Sequence, residues 1–192
     1  MVVIIKYNAG NIKSVENAVK RLGFDCLVTD DADEIRGADK VIFPGVGEAS
    51  SAMAHLKSKG LDKLIVSLKQ PVLGVCLGQQ LMCSYSEEGE TDCLGIFDCQ
   101  VKAFPPEDKV PHMGWNEITG LQTELFQDVQ ENSDVYFVHS YYCEPTSDQI
   151  ASCDYITPFA AAMHKDNFYA CQFHPEKSAG IGEQILKNFL EL

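Results

Sequence analysis

One short apolar segment that runs directly into a cysteine between two glycines constrains this chain most. Residues 71–80 read PVLGVCLGQQ, which predicts a buried strand, a tight turn at Cys76 and then a helix. A thiol in such a turn lies near the N-terminus of the following helix, where free backbone N–H groups favour the thiolate. A side chain in place of Gly74 or Gly78 would crowd the turn. The segment therefore has the layout of a nucleophile elbow, with Cys76 as the nucleophile.

Short apolar runs and amphipathic runs alternate through the first half of the chain. The apolar runs predict strands at 2–5, 26–29 and 40–43, and the amphipathic run at 11–22 predicts a helix. Two further helices are expected on either side of Gly60, with Ser50 or Ser51 capping the first of them. Strands that alternate with helices indicate a parallel sheet covered on both faces.

The second half is richer in strands. Strand-like runs occur at 94–104, 116–119, 135–143, 160–164 and 168–173, and a last helix is expected at 179–190. No Pro/Gly/Ser-rich linker divides the two halves. We therefore expect one domain over 1–192, with the later strands added antiparallel to the same sheet.

Charge and cysteine content narrow the possible partners and the compartment. Among the 192 residues the formal net charge is −13, which argues against nucleic acid as a partner and leaves a basic protein possible. The eight cysteines show no CxxC pair and no spacing typical of a zinc site or a disulfide framework. There is no basic leader at the N-terminus, and no apolar run approaches the roughly 20 residues that span a bilayer. We expect a reduced, cytoplasmic chain with no metal and no membrane association.

The end of the last predicted strand carries a candidate base. His174 can take the thiol proton and return it to a leaving group, while a carboxylate on the other ring nitrogen fixes the tautomer. Glu176 can supply that carboxylate, because Pro175 restricts the preceding residue to extended conformations. One short segment could thus provide both the base and the group that orients it.

A third strand end, followed by residues 44–47 (PGVG), can supply backbone donors. Acyl transfer to a thiolate passes through an oxyanion, and glycine-rich backbone near the nucleophile can aim N–H groups at that charge. Glycines on both sides of Val46 also permit a peptide flip. The N–H of Leu77 is the other natural donor. Loops at the carboxyl ends of strands in an open α/β sheet are where such parts meet.

Each segment also has a plainer interpretation. A lone cysteine in an apolar run is a small core residue in roughly nine cases of ten. The HPE segment at 174–176 could be a surface turn, and the glycines at 45 and 47 could belong to any loop. Three strand ends that each supply a different catalytic part nevertheless favour catalysis.

The motifs resemble those of the class I glutamine amidotransferases, whose signatures are a G-x-C-x-G-x-Q elbow and a late H-P-E. Residues 74–80 (GVCLGQQ) and 174–176 (HPE) match both. Further segments are similar to the glutaminase subunits that serve a synthase of histidine biosynthesis. They are 9–15 (AGNIKSV), 44–47 (PGVG), 111–116 (PHMGWN), 136–141 (YFVHSY) and 174–178 (HPEKS), and together they span nearly the whole chain.

This resemblance implies a flavodoxin-like α/β domain, in which a mixed, mostly parallel sheet carries helices on both faces. It implies hydrolysis of glutamine to glutamate and delivery of ammonia to a (β/α)8-barrel cyclase subunit, as a heterodimer. The cyclase would form imidazole glycerol phosphate and an aminoimidazole carboxamide ribotide. No cofactor is implied.

The resemblance also implies roles for individual residues. Cys76 would attack the side-chain amide, His174 would protonate the departing ammonia, and Glu176 would orient His174. The N–H groups of Leu77 and Val46 would hold the oxyanion, the latter after the loop at Gly45 rearranges. The residues expected to hold glutamine are Gly47, Gln80, Glu88, His139, Ser140 and Tyr141, and those expected to face the partner are Asn11, Trp115 and Lys177.

Several alternatives stay open from the sequence. A glutaminase for another synthase would share the triad, although the HMGWN segment at 112–116 argues against it. A non-catalytic binding subunit could keep the fold but would not need a complete triad, and a cysteine peptidase on a similar fold is a third alternative. Glu88 could be a solvated helix end, and His112 could be structural. The chain also departs from the family at residues 6–8, where KYN replaces a frequent Asp-Tyr-Gly near the partner.

Overall fold

Apart from a short helix at Ala32–Arg36, the strands and helices of the first half lie where the hydrophobic pattern predicts them. The computed structural model describes residues 1–192. The strands expected at 2–5, 26–29 and 40–43 are present with those bounds, and Gly60 separates two helices. In chain order the elements are β1 (Val2–Ile5), α1 (Ile12–Arg21), β2 (Cys26–Thr29), α2 (Ala32–Arg36), β3 (Lys40–Phe43), α3 (Ala49–Lys59), α4 (Leu61–Ser67), β4 (Val72–Val75), α5 (Leu77–Met82), β5 (Tyr85–Ser86), β6 (Thr91–Asp92), β7 (Gln100–Ala103), β8 (His112–Ile118), β9 (Ser133–His139), β10 (Tyr141–Cys143), β11 (Gln149–Tyr155), β12 (Thr157–Lys165), β13 (Phe168–Cys171) and α6 (Ala179–Glu191).

A seven-stranded sheet forms the centre of the molecule. Five parallel strands run in the order β2-β1-β3-β4-β13, and β12 and β11 continue the sheet antiparallel beyond β13. The parallel part therefore has the 2-1-3-4-5 strand order of flavodoxin-like folds. The expected fold class, a mixed and mostly parallel sheet, is confirmed.

Alternate residues of the parallel strands divide the core into two layers. Val3 and Ile5 face the layer that α3, α4 and α5 cover, whereas Val2 and Ile4 face the layer under α1 and α6. Successive side chains of a strand point to opposite faces, so a strand that is apolar at every position must be covered on both sides. The expectation of helices on both faces is confirmed.

The expectation that all later strands extend the same sheet is wrong in part. Strands β11 and β12 extend the sheet antiparallel, but β13 (the run expected at 168–173) joins it parallel to β4, inside the sheet. By contrast, β10, β7, β5 and β6 form a separate four-stranded sheet, and β8 pairs with β9 as a two-stranded ribbon. The run at 135–143 breaks at Ser140, whose carbonyl accepts the N–H of Phe104, so β9 and β10 enter different sheets. The apolar stretch at 94–99 is not a strand, because the N–H groups of Leu94 and Ile96 bond the free carbonyls at the end of α5.

The cap of α3 also differs from the expectation. The helix begins at Ala49, so Ser50 and Ser51 lie within its first turn and Glu48 is the N-cap. The carboxylate of Glu48 accepts hydrogen bonds from the N–H groups of Ser50 at 3.0 Å and Ser51 at 2.8 Å. An acidic side chain thus performs the role that the pattern assigned to a serine.

All eight cysteines are free thiols. Cys83, Cys99 and Cys143 bring their sulfur atoms within 4.8 Å of one another in the core. The thiol of Cys83 lies 3.5 Å from the carbonyl of Gln79, and that of Cys99 lies 3.3 Å from the carbonyl of Glu144. The sulfur of Cys143 lies 3.6 Å from that of Cys83, so the three side chains pack against one another in the core. Among the helices, none has the length and apolar composition needed to cross a membrane.

Candidate active site

Three loops with the chemical groups expected from the sequence meet at one edge of the sheet. Strand β4 lies between β3 and β13, and all three strands are parallel. Their carboxyl ends therefore lie side by side. The loop after β4 carries Cys76, the loop after β3 carries residues 44–47, and the loop after β13 carries His174 and Glu176.

The turn at Cys76 is strained and depends on nearby glycines. Its φ of 53° and ψ of −107° lie in a region that non-glycine residues rarely occupy. A Cβ on Gly78 would lie 2.0 Å from the carbonyl oxygen of Phe43, and one on Gly74 would lie 2.8 Å from the sulfur of Met82. Only glycine therefore lets α5 begin so close to β3 and β4. This arrangement holds the thiol at the N-terminal end of α5.

His174 and Glu176 form a buried pair beside the thiol. Their side chains are 0% and 1% exposed, and Nδ1 of His174 lies 2.7 Å from Oε1 of Glu176. Asn11, in the turn before α1, donates a hydrogen bond to the same Oε1 at 2.5 Å. Nε2 of His174 makes no hydrogen bond, so it remains free to exchange a proton. The carboxylate is therefore placed to fix the orientation of the ring.

The pair favours a charged imidazole. Burial lowers the pKa of His174, but the Cys76 sulfur and the Glu176 carboxylate both favour the charged ring, outweigh burial and raise the pKa to about 9. Burial raises the pKa of Glu176, but its hydrogen bond and attraction to His174 outweigh that effect, so the pKa is lowered. Glu176 is therefore ionised near neutral pH and can stabilise an imidazolium beside the thiolate.

The backbone donors expected for the oxyanion are not yet arranged to hold one. The N–H of Leu77 donates to the carbonyl of Gly45 at 3.2 Å. Because the peptide between Gly45 and Val46 is planar and trans, the N–H of Val46 points in the opposite direction, away from Leu77. The loop is held in this state by the N–H of Gly10, which donates to the Val46 carbonyl at 3.1 Å, and by the hydroxyl of Tyr7, which donates to the Pro44 carbonyl at 2.6 Å.

A cavity of about 250 Å³ opens beside the sulfur of Cys76. Its size suits a ligand of amino-acid dimensions. All six residues expected to hold glutamine lie in its wall. The complete wall is Val46, Gly47, Cys76, Leu77, Gln80, Glu88, Pro111, Val138, His139, Ser140 and Tyr141.

Glu88 is the acidic group of this wall. It is half-buried, and its Oε2 accepts the N–H of Ala49 at 2.8 Å. Burial raises the pKa of Glu88, the N–H of Ala49 opposes this effect and the charge of Glu48 adds to it. A carboxylate in this position can receive a substrate ammonium, so the solvated helix end is the weaker interpretation.

Two of the wall residues have little hydrogen-bonding capacity left for a ligand. Both N–H groups of the Gln80 amide are used, one on the Tyr141 carbonyl at 3.0 Å and one on Oε1 of Gln172 at 2.9 Å. His139 is bonded through Nδ1 to the Tyr141 carbonyl at 2.7 Å and through Nε2 to Nδ1 of His112 at 2.9 Å. Gln80 therefore offers only its carbonyl oxygen, and His139 offers only the face of its ring.

The two histidines are neutral structural groups. Burial lowers the pKa of His112 to about 4 and the pKa of His139 to about 3. Nε2 of His112 is in turn 3.2 Å from Nδ2 of Asn116, so each ring nitrogen in the pair has a partner. The interpretation of His112 as structural agrees with these contacts.

Sequence reasoning missed two side chains of the site. Gln172 is fully buried, and its Nε2 donates to Sγ of Cys76 at 3.6 Å. Tyr7 anchors the loop at Pro44, as described above. The signal for Gln172 was its position two residues before His174, because residues two apart in extended chain share a side. No comparable signal marks Tyr7, since its contact depends on how the loop after β3 folds back.

The three residues expected to face a partner surround the same edge. Trp115 is 55% exposed on β8 and packs edge-to-face on Tyr136 of β9, whose carbonyl accepts the N–H of His174 at 2.9 Å. Lys177 is exposed directly after the triad. Asn11 is half-buried and, beyond any partner role, contacts Glu176. A partner docked here would cover the edge that holds the triad.

Comparisons with known proteins agree with this geometry. The family described as glutamine amidotransferase class-I matches residues 3–192. The chain is 60% identical over 194 aligned positions to imidazole glycerol phosphate synthase subunit HisH of Bacteroides fragilis strain YCH46, with 100% of this chain and 99% of that protein covered. It is 44% identical to the protein of the same name from Pasteurella multocida strain Pm70, with 99% and 97% covered. A solved glutamine amidotransferase structure from Thermotoga maritima, 15% identical, shares the fold at a TM-score of 0.66, with 99% of this chain and 80% of that chain covered.

Proposed function

Because the chain belongs to the class I glutamine amidotransferase family, and within it to the HisH subunits of imidazole glycerol phosphate synthase in histidine biosynthesis, we propose that it hydrolyses glutamine with Cys76, His174 and Glu176 and delivers the ammonia to a cyclase subunit. The observation that carries this proposal is the buried His174–Glu176 pair beside a thiol that opens into an amino-acid-sized cavity. A non-catalytic adaptor would have no use for that arrangement, in which the carboxylate fixes a free imidazole nitrogen next to a nucleophile.

The reaction follows from the groups in contact. The Cys76 thiolate adds to the side-chain amide carbon of glutamine, and the carbonyl oxygen becomes an oxyanion. Nε2–H of His174 gives its proton to the amide nitrogen, the C–N bond breaks and ammonia leaves a thioester on Cys76. Water then adds to the thioester with His174 as base, and glutamate leaves as the thiol is restored. Glu176 stabilises the imidazolium in both halves of the cycle.

Glu88 and the cavity wall would position the substrate. The Glu88 carboxylate can bind the ammonium group of glutamine, and the backbone around Ser140 can bind the amino-acid end of the same molecule. Gln80 can accept an N–H of the reacting amide through its carbonyl oxygen, because its own N–H groups are committed elsewhere. These contacts would hold the amide carbon near the sulfur.

Because the two oxyanion donors point in opposite directions in this structure, the loop after β3 would act as a switch. Rotation of the Gly45–Val46 peptide would release the N–H of Leu77 and turn the N–H of Val46 toward the same point. The two donors would then stabilise the oxyanion together. Free ammonia is lost in bulk water, so a site that is inactive until the partner and its ligand are in place avoids wasteful hydrolysis.

The partner would bind the edge formed by Asn11, Trp115 and Lys177. These residues surround the triad, and the exposed indole is a suitable anchor for a protein interface. The net charge of −13 favours a basic complementary surface. The resulting heterodimer would form imidazole glycerol phosphate and an aminoimidazole carboxamide ribotide on the cyclase, and free thiols are compatible with a cytoplasmic complex.

Glutamate release by the purified chain tests the proposal, first alone and then with the cyclase subunit of imidazole glycerol phosphate synthase and its nucleotide ligand. We expect strong stimulation by the liganded partner. Activity that ignores the partner would refute the switch and the assignment of this partner but not the glutaminase. Absence of activity in both states would refute the catalytic proposal.

A pair of cysteine variants provides the matched control. Cys76→Ala should abolish glutamate release and leave partner binding intact. Cys153→Ala changes another buried cysteine, in β11, and should retain activity. Retained activity in Cys76→Ala would exclude this residue as the nucleophile.

A further inference from the structure

Gln172 lies behind the nucleophile and links its sulfur to the cavity wall. Its Nε2 is 3.6 Å from Sγ of Cys76, and its Oε1 accepts Nε2–H of Gln80 at 2.9 Å. Gln80 gives its second N–H to the carbonyl of Tyr141 at 3.0 Å. A continuous run of hydrogen bonds therefore reaches the catalytic sulfur from the side of the cavity, independently of His174.

The hydrogen-bonding chemistry of these groups determines which of them donates and which accepts. The carbonyl of Tyr141 can only accept, so Gln80 must turn its N–H groups toward Tyr141 and Gln172. Gln172 must then present Oε1 to Gln80, which leaves its own N–H groups facing the sulfur. The reverse orientation of the Gln172 amide would set two N–H groups against each other. The Tyr141 carbonyl is itself held by Nδ1 of His139 at 2.7 Å, so the origin of the run is rigid.

We propose that Gln172 is a positioning residue, which donates a hydrogen bond to Sγ of Cys76, favours the thiolate and fixes its direction, while Gln80 holds the Gln172 amide in place. A donor aimed at a titratable atom favours the form that carries the negative charge. Gln172 is fully buried, and neither it nor His174 belongs to the cavity wall. Gln172 therefore acts through Cys76 and not on the substrate.

The reactivity of the thiol tests this role directly. Gln172→Met keeps the length and burial of the side chain and removes the donor. We expect alkylation of Cys76 by iodoacetamide at pH 7, followed by mass spectrometry of the peptide that contains it, to slow about tenfold and to recover as the pH is raised. The role in turnover rests on the proposed glutaminase function. In that assay we expect kcat to fall about tenfold and KM for glutamine to stay within about twofold.

Two further variants keep the test decisive. Gln172→Glu is nearly isosteric and retains an oxygen for Gln80, so it should fold and should slow alkylation at least as much. Gln79→Met is the matched control, since Gln79 is equally buried, donates to the Ala160 carbonyl at 2.9 Å and makes no contact with the Cys76 sulfur. Its alkylation profile should be that of the wild type.

The outcomes separate this inference from the proposed function. Wild-type alkylation rates across the pH range in both Gln172 variants would overturn the inference, whatever happens to glutamate release. Equal slowing in Gln79→Met would also overturn it, because the effect would then follow from loss of a buried amide in general. Slower alkylation in the Gln172 variants, in a chain that releases no glutamate, would leave the inference standing and refute the glutaminase.

Discussion

Replacement of Glu176 by Gln should change the pH dependence of glutaminase activity, and not only its size. Glu176 Oε1 contacts Nδ1 of His174 at 2.7 Å in a fully buried site, and the pKa of His174 is about 9. A hydrogen bond to a charged group is worth about 1.5–3 kcal/mol. Gln keeps an acceptor oxygen but removes its charge, and we expect this to lower the pKa of His174 by about one to two, since each unit corresponds to about 1.4 kcal/mol. The pH above which activity is lost would move from about pH 9 to about pH 7–8.

Activity should fall at high pH because His174 is the proposed proton donor. The ring must be charged when ammonia leaves, so activity is lost as the pH rises through the pKa of the ring. At pH 6 the ring is charged in both proteins, and Glu176→Gln loses activity only through poorer orientation. Between pH 6 and pH 9 the ratio of wild-type to variant kcat should widen by about tenfold.

The assay measures glutamate release at saturating glutamine, with the liganded partner present, from pH 6 to pH 9.5. Asn11→Gly is the matched control, because Asn11 donates to the same Oε1 but its loss leaves the carboxylate charged. Glycine also accepts the φ of 71° at this position. Its alkaline limit should stay near that of the wild type. A ratio of kcat values that stays constant with pH in Glu176→Gln would refute the electrostatic role of this carboxylate.

Three further changes test other parts of the site. Tyr7→Phe leaves the Pro44 carbonyl without its donor, so we expect a loss of about 1–3 kcal/mol in urea unfolding and a several-fold rise in glutamate release without partner. Glu88→Gln should raise KM for glutamine by about tenfold or more with little change in kcat, if its charge receives the substrate ammonium. His112 and His139, with pKa values of about 4 and about 3, stay neutral in the fold while the unfolded rings take up protons below about pH 6.5. The free energy of unfolding should therefore fall by about 3 kcal/mol from pH 6.5 to 5, measured by urea titration, and a flat profile would contradict the buried pair.

Local sequence determined the elements whose side chains repeat with a clear period. The strands β1 and β3 are apolar at nearly every position and end in turn residues, so only a buried parallel strand fits them. The helix α2 went undetected because it has five residues and a single buried one, Ile35, which is too short for any period to appear.

Tertiary contacts determined the features that the sequence could not reveal. The run at 135–143 has the composition of one strand, but it divides at Ser140 because Phe104 pairs there from another sheet. Likewise, Cys76, His174 and Gly45 could be assigned to strand ends from sequence, and the order of the strands then brings them together. The orientation of the Gly45–Val46 peptide has no such signal, since glycine allows both orientations at similar energy.

In the proposed mechanism, that peptide decides how much a partner must contribute to activate the site. Its rotation exchanges one hydrogen bond, between the Leu77 N–H and the Gly45 carbonyl, whose net value is about 0.5–1.5 kcal/mol. The bonds from Gly10 and Tyr7 hold the neighbouring carbonyls of Val46 and Pro44 in the present conformation, so rotation must loosen them as well. An imbalance of a few kcal/mol keeps the active form at a few per cent or less, and a partner reverses it only through contacts that favour the rotated loop. The strength of activation should therefore depend on differential contacts to this loop, whereas loss of the Trp115 side chain should weaken docking in both forms.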